Sequence, residues 1–195
     1  MHNKKQYHYI LLIVMILIIG SLACNAVVGK VATPTATFEP IPVKTEAVKT
    51  LESKVETAAT EAAGNSKVTL EITETQLTSL IASELQKQQE QVVQNPQVHL
   101  QDGQVHLTGN VEQSGLSLPL DIVMTVSVDT EGHPHTHILS GSVGPFPLPQ
   151  DLLDKLSTQL DDGLANQIDS ENNGFFIEDI TIDNGVMTVT GHSQK

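Results

Sequence analysis

The chain has 195 residues and a formal net charge of -13, and all ten of its basic residues are lysines. An acidic surface without the planar guanidinium fork repels nucleic acid and anionic headgroups and grips phosphate poorly, which excludes nucleic-acid binding. Aromatic residues make up 3%, and in the part expected to fold only Phe146, Phe175 and Phe176 remain, so stacking platforms for sugars have little to be built from.

Lys4 and Lys5 precede an apolar run, Ile10 to Ile19, and Ser21-Leu22-Ala23 forms a small-residue boundary before Cys24, the one cysteine of the chain. This pattern predicts an export signal over 1–23, removed after Ala23. A solitary thiol is poor disulfide material, and in an exported protein it calls for another role. The segment resembles the signal and lipobox of bacterial lipoproteins, which implies that Cys24 is acylated and becomes the new N-terminus. Ser21 departs from that pattern, since it stands where Leu is usual and Leu22 follows one place later. The alternative is an uncleaved transmembrane anchor over 10–28, about 19 largely apolar residues against the ~20 that span a bilayer. Both place the rest of the chain on the extracytoplasmic side, because the lysines stay behind. Loss of Lys4 and Lys5 would take the net charge from -13 to -15.

Residues 24–66 are rich in Thr, Ala, Glu, Lys and Pro, with Pro34, Pro40 and Pro42 near the start, and read as a flexible tether. Within it Val48, Leu51 and Val55 recur at helical spacing, followed by Ala58, Ala59 and Ala62. Such a helix is marginal in isolation.

One domain is expected over 67–195, a sufficient length for a single core. Val68, Leu70 and Ile72 alternate as a first strand. Thr73-Glu74-Thr75-Gln76 is a capping box, opening a helix with the stripe Leu77, Leu80, Ile81 and Leu85. After the polar run Gln86 to Gln91, Asn95-Pro96 closes the passage to the next strand. Gln97 to Gln101 and Gln104 to Leu107 mirror each other about Asp102-Gly103, which favours a type I′ hairpin. Its register pairs Leu100 with Val105 and Val98 with Leu107 on one face, and His99 with His106 on the other.

Leu116, Leu118, Leu120, Ile122, Met124, Val126 and Val128 then hold every even position of a strand about 40 Å long. Pro119 belongs near an edge or bulge at its beginning. Glu131-Gly132 turns the chain into a partner strand, His135 to Val143. Beyond the stiff Gly144 to Pro149, a second helix carries Leu152, Leu153, Leu156, Leu160, Leu164 and Ile168 on one stripe, with Gly163 placed to bend or end it. A last hairpin, Ile177 to Asp183 and Val186 to Thr190, turns at Asn184-Gly185 and pairs Ile182 with Met187 and Ile180 with Val189. The predicted fold class is α+β: a mainly antiparallel, curved sheet of about six or seven strands with two amphipathic helices on its apolar face.

Leu70 to Leu85, Asp102-Gly103-Gln104-Val105 and Val143-Gly144-Pro145-Phe146-Pro147-Leu148-Pro149 carry a likeness over most of 67–195. In order and spacing these elements resemble the YpmS-like and LmeA-like families of exported or membrane-anchored bacterial proteins. The resemblance implies a lipid or other hydrophobic ligand in an apolar groove, and it brings no catalytic residues. The expected lining is Leu118, Leu120, Ile122, Met124 and Val126, faced by Leu77, Leu80, Ile81, Leu153 and Leu156. A core closed by the second helix is the other cover for that strand, and it would make the domain a structural or protein-interaction module of the cell envelope.

His99 and His106 across one hairpin, with His133, His135 and His137 on another strand, have the reach to ligate zinc or copper. No third or fourth ligand can be placed from sequence, so they read as solvent-facing histidines. Asp169 to Gly174 spaces oxygen ligands as calcium loops do but lacks the closing glutamate, and reads as a polar loop. Ser140-Gly141-Ser142-Val143-Gly144 is no nucleophile elbow, and neither a zinc-protease motif nor a phosphate-binding glycine loop is present. The expectation is a non-enzymatic protein without cofactor, held at a membrane through Cys24 and binding a lipid, another hydrophobic ligand or an envelope partner.

Overall fold

The computed structural model describes residues 38–62, 67–87, 93–113, 115–171 and 175–193. The apolar run and Cys24 lie outside them. Among the described residues no helix is long and apolar enough to cross a membrane.

The fold is α+β, with helices α1 (Thr45–Ala62), α2 (Glu74–Gln86) and α3 (Gln150–Glu171). The strands are β1 (Val68–Thr73), β2 (Val93–Gln101), β3 (Gln104–Gln113), β4 (Leu116–Val128), β5 (Pro134–Val143), β6 (Phe146–Pro147), β7 (Phe175–Asp183) and β8 (Val186–Ser193). They form two antiparallel sheets, a five-stranded one in the order β2-β3-β4-β5-β6 and a three-stranded one in the order β1-β8-β7. The single sheet expected from the sequence is thus divided, because β7 and β8 pair with β1 at the far end of the chain and never join β5.

Local chemistry accounts for the pairings. Asp102 and Gly103 both take positive φ, as do Asn184 and Gly185, which matches the twist of the strands they join. Leu100 therefore meets Val105 and His99 meets His106, while Ile182 meets Met187 and Ile180 meets Val189. Thr73 Oγ1 accepts from the Gln76 amide at 3.3 Å, and Gln76 Oε1 accepts from the Thr73 amide at 3.0 Å. This is the capping box that starts α2.

Two details differ from the sequence reading. β2 begins at Val93 and runs through Asn95-Pro96, absorbing them in a register shift between Gln94 and Gln97. α3 continues through Gly163 to Glu171; a Cβ at Gly163 would meet nothing within 4 Å, so no packing constraint ends the helix there. Asp169, Ser170 and Glu171 are accordingly helical. Pro119, expected near an edge at the start of its strand, lies there, beyond the last β4–β5 pair, Leu120 with Val143, and its carbonyl accepts from Gly144 at 2.7 Å. No ladder donor is required of it there.

The segment read as a tether is folded over 38–62. The compact unit spans Phe38–Lys195, so it starts upstream of Lys67. Leu51 and Ala62 are buried where α1 packs on α2 and β1, a contact on the order of 2 kcal/mol for the leucine. Hydrogen bonds pin the strap ahead of it: the Ile41 amide donates to Gln97 Oε1 at 2.5 Å and the Lys44 amide to Ser79 Oγ at 2.9 Å. Tertiary contact supplies what the short helix lacks alone.

The three-stranded sheet caps one end of the five-stranded one. The Gly103 amide donates to the Ile182 carbonyl, and the Gly185 amide to the Leu100 carbonyl, beside the β2–β3 turn. At the β4–β5 turn the Ile177 amide donates to the Gly132 carbonyl. Both turns lie at the same end, so β7 spans that end from one to the other. Beneath it Val98, Leu100, Val105 and Ile182 form a buried cluster against which Leu77, Ile81, Leu107, Met124, Val126 and Met187 pack.

Candidate functional site

The inner face of the five-stranded sheet is set by period-two alternation, but one extra residue is needed to keep it apolar across β5. Val123 pairs with Ser140 and Met124 with Ile138, leaving Leu139 as a bulge. Thr136 and Ile138 therefore share a face with Gly141 and Val143, opposite the β4 stripe. Leu139, His135 and His137 point outward and are exposed.

The helices pack on this face from its two sides: Leu77 and Ile81 of α2 on the cluster of Val98, Leu100 and Val105, and Leu153 of α3 against Gly141. α2 packs on β2 and α3 on β5. Thr78 Oγ1 accepts from the Val98 amide at 2.9 Å, and Glu74 Oε1 from the Leu100 amide at 2.7 Å. On the other side Ser157 Oγ accepts from the Ile138 amide at 3.0 Å, and Asp161 Oδ1 from the Thr136 amide at 2.6 Å. These acceptors satisfy edge amides that a sheet otherwise leaves open. That requirement, which apolar periodicity does not express, adds to the apolar contacts in placing the helices.

The strip of this face on β3 and β4, between the strands that carry the two helices, is apolar and is termed the trough. Leu107, Val111, Leu118, Ile122, Met124 and Val126 are half-buried, and Leu120 is buried. Two glycines let the walls lean inward. A Cβ on Gly109 would stand 2.9 Å from Val93 Cγ1, and one on Gly141 2.9 Å from Leu148 Cδ1 and 3.1 Å from Leu153 Cδ2. Gly109 pairs with Leu120, and Gly141 with Ile122, so each glycine flanks the floor where a wall side chain crosses it.

The ten residues expected to line a groove are divided by the cap. Leu77, Ile81, Met124 and Val126 pack on the buried cluster at the closed end. Leu118, Leu120 and Ile122 form the floor toward the open end, with Leu153 buried against Gly141 and Leu80 and Leu156 half-buried on their helices. Val93, Gly109, Gly141 and Leu148 were missed. Glycine at an inward position of an apolar strand was the available signal, since it marks a close approach.

The histidines form separate groups. His99 is 6% exposed, contrary to the solvent-facing reading, because the Phe38 ring stacks on it with centroids 4.1 Å apart and also lies 5.3 Å from His106. Burial holds the His99 imidazole below its ordinary range, Glu74 opposes this, and His106 reinforces it. His135 Nδ1 lies 2.6 Å from Asp161 Oδ2, away from that pair. Among the described residues one other cluster has ligand-like spacing, Asp129, Glu131 and His133, with one atom of each within 4.8 Å of the others. Asp129 Oδ1 accepts from the Glu131 and His133 amides at 2.8 and 2.9 Å. Those bonds, led by the one from His133, hold its carboxyl below the usual range, and they shape the β4–β5 turn. A cleft of about 500 Å³ between α1 and β1 is lined by Thr50, Lys54, Ala58, Glu61, Leu70 and Glu71 among others, apart from the β3–β4 strip.

No protein-family model matches the chain, and no curated protein or solved structure matches it either. A functional reading therefore rests on the residues of this chain.

Proposed function

We propose that the protein is a non-enzymatic lipoprotein of the extracytoplasmic side, tethered to the membrane through Cys24, whose domain holds a lipid or similar apolar ligand in the trough. The observation that carries this reading is the half-buried state of Ile122, paired on both sides within the sheet, and of Leu118 on the same face. Interior positions of that kind are ordinarily covered, and each leaves apolar area for a ligand to remove from water at about 25 cal/mol per Å². Polar groups are placed to seal the walls, leaving the floor to non-directional apolar contact. This suits an acyl chain better than a polar substrate.

The test is extraction of the purified full chain with organic solvent, followed by mass spectrometry, beside titration with a fluorescent fatty acid. A co-purified lipid, and uptake lost in Ile122→Asn while circular dichroism is unchanged, is the expected result. Absence of both lipid and uptake would leave the domain as a structural or protein-interaction module. For the anchor, Cys24→Ser is expected to abolish acyl labelling and either release the protein or leave its signal uncut. Labelling that persists would overturn the assignment.

A further inference from the structure

The trough is closed at one end by β7 and β8, and its other end is built differently. There the β4 stripe continues outward through Leu118 to Leu116, which is 64% exposed. Leu120 pairs with Val143, and Val143 with Phe146, which is 55% exposed. Cross-strand partners share a face, so Leu116, Leu118, Leu120, Val143 and Phe146 all belong to the inner face at the same open end. Gly144 fixes the corner: a Cβ there would stand 3.3 Å from Leu118 Cδ2, and its amide binds the Pro119 carbonyl.

The two segments that carry these side chains are uncharged, with Glu112 opposite Ser117 and Asp151 after Gln150 as flanking carboxylates. In a chain with 17% charged residues, Leu116–Leu120 and Ile138–Gln150 contain no Asp, Glu, Lys or Arg. The acidic remainder of the surface resists an anionic bilayer, whereas two exposed apolar side chains on uncharged segments lose water on entering it. Chain length permits the contact. Phe38 sits over His106, which along β3 is about 23 Å from Gln113 at ~3.3 Å per residue. The stretch from Cys24 to Thr37 spans at most about 50 Å.

We infer that this tip is a membrane-docking edge: Leu116 and Phe146 insert into the interfacial layer of the bilayer that holds the Cys24 anchor, and they bring the open end of the trough against the lipid. The inference rests on the reading of a membrane-tethered apolar-ligand binder and names the surface at which its ligand would enter. Docking orients the floor strand so that an acyl chain passes from the bilayer along Leu116 and Leu118 to Ile122 without crossing water.

The chain has no tryptophan, so one introduced indole reports alone. The full chain is reconstituted into phosphatidylcholine vesicles as Phe146→Trp, Leu116→Trp and, as a control at the capped end, Leu164→Trp. Emission of the first two is expected to shift to the blue and to lose most of its intensity when the lipid tails are brominated, with the control unaffected. Equal, weak quenching at all three positions overturns the inference. A blue shift that is independent of vesicles and accompanied by twice the monomer mass in detergent also overturns it, in favour of a second copy on the tip. Fatty-acid uptake is measured on the same samples. Quenching at the tip without uptake keeps the docking edge and removes the trough as a binding site, whereas uptake without quenching does the reverse.

Discussion

At the β2 edge the acceptors for two strand amides are Glu74 and Thr78; at the β5 edge they are Ser157 and Asp161. Both pairs are four residues apart on a helix and serve amides two residues apart on a strand running the opposite way. The spacing works because four helical residues rise about 6.0 Å and two strand residues about 6.6 Å. The surroundings differ. Thr78 is 0% exposed, and Glu74 stands in the first turn of its helix, where a negative charge is favoured. At β5 the carboxylate comes second, partly open to solvent and shared with His135, and Leu160 and Leu164 farther along α3 are exposed. One wall of the trough is therefore an extension of the core, and the other is a more weakly held flank.

The largest test of that contrast is Thr78→Val, which keeps the shape and strands the Val98 amide; a loss of about 2–3 kcal/mol is expected in urea unfolding. Ser157→Ala frees the Ile138 amide at the weaker flank and is expected to lose about 1 kcal/mol. An equal or larger loss there would erase the distinction. The glycines give a parallel comparison, each alanine expected to cost about 1–3 kcal/mol by overpacking. Gly109→Ala should be the worse of the two, because its new methyl also meets the Gln94 carbonyl at 3.1 Å while Gly141→Ala meets only leucine side chains among its nearest atoms.

Smaller effects follow from charge. With its folded value depressed, His99 takes up a proton less readily when folded than when unfolded. Its contribution to stability is therefore present above the ordinary imidazole value of about 6.5 and is lost as pH falls through the folded value. The groups facing it are Phe38, Glu74 and His106. Melting temperature is expected to fall between about pH 7 and pH 5, with a shallower fall in His99→Gln; equal slopes would refute the assignment. Least of all, Asp161→Asn retains an acceptor for the Thr136 amide and changes only the contact with the exposed His135, so a change of roughly 0.5 kcal/mol or less is expected.

The residues show which parts of this fold were legible beforehand. Asp102-Gly103 and Asn184-Gly185 specify turn type, and turn type with period-two alternation specifies register, so the pairing of His99 with His106 could be read from neighbours in sequence. The same holds for the capping box and for the inward stripe of β4. The candidate site was legible only as that stripe. Its walls depend on Gly109 and Gly141 admitting side chains from elsewhere in the chain, and its open end on Phe146 sharing a face with Leu116 through one intermediate strand, β5.

What the sequence determined by itself is local, because alternation, caps and turns act over a few residues and carry their own geometry. Tertiary structure alone decided that β7 and β8 leave the main sheet to cap it, that Leu51 draws α1 onto the domain, and that α2 and α3 supply acceptors to the edge amides beside their apolar contacts. Each of those outcomes turns on a polar group or an apolar surface seeking a partner far away in the chain, such as the Val98 amide and the Thr78 hydroxyl, and no pattern of spacing records which partner it will find.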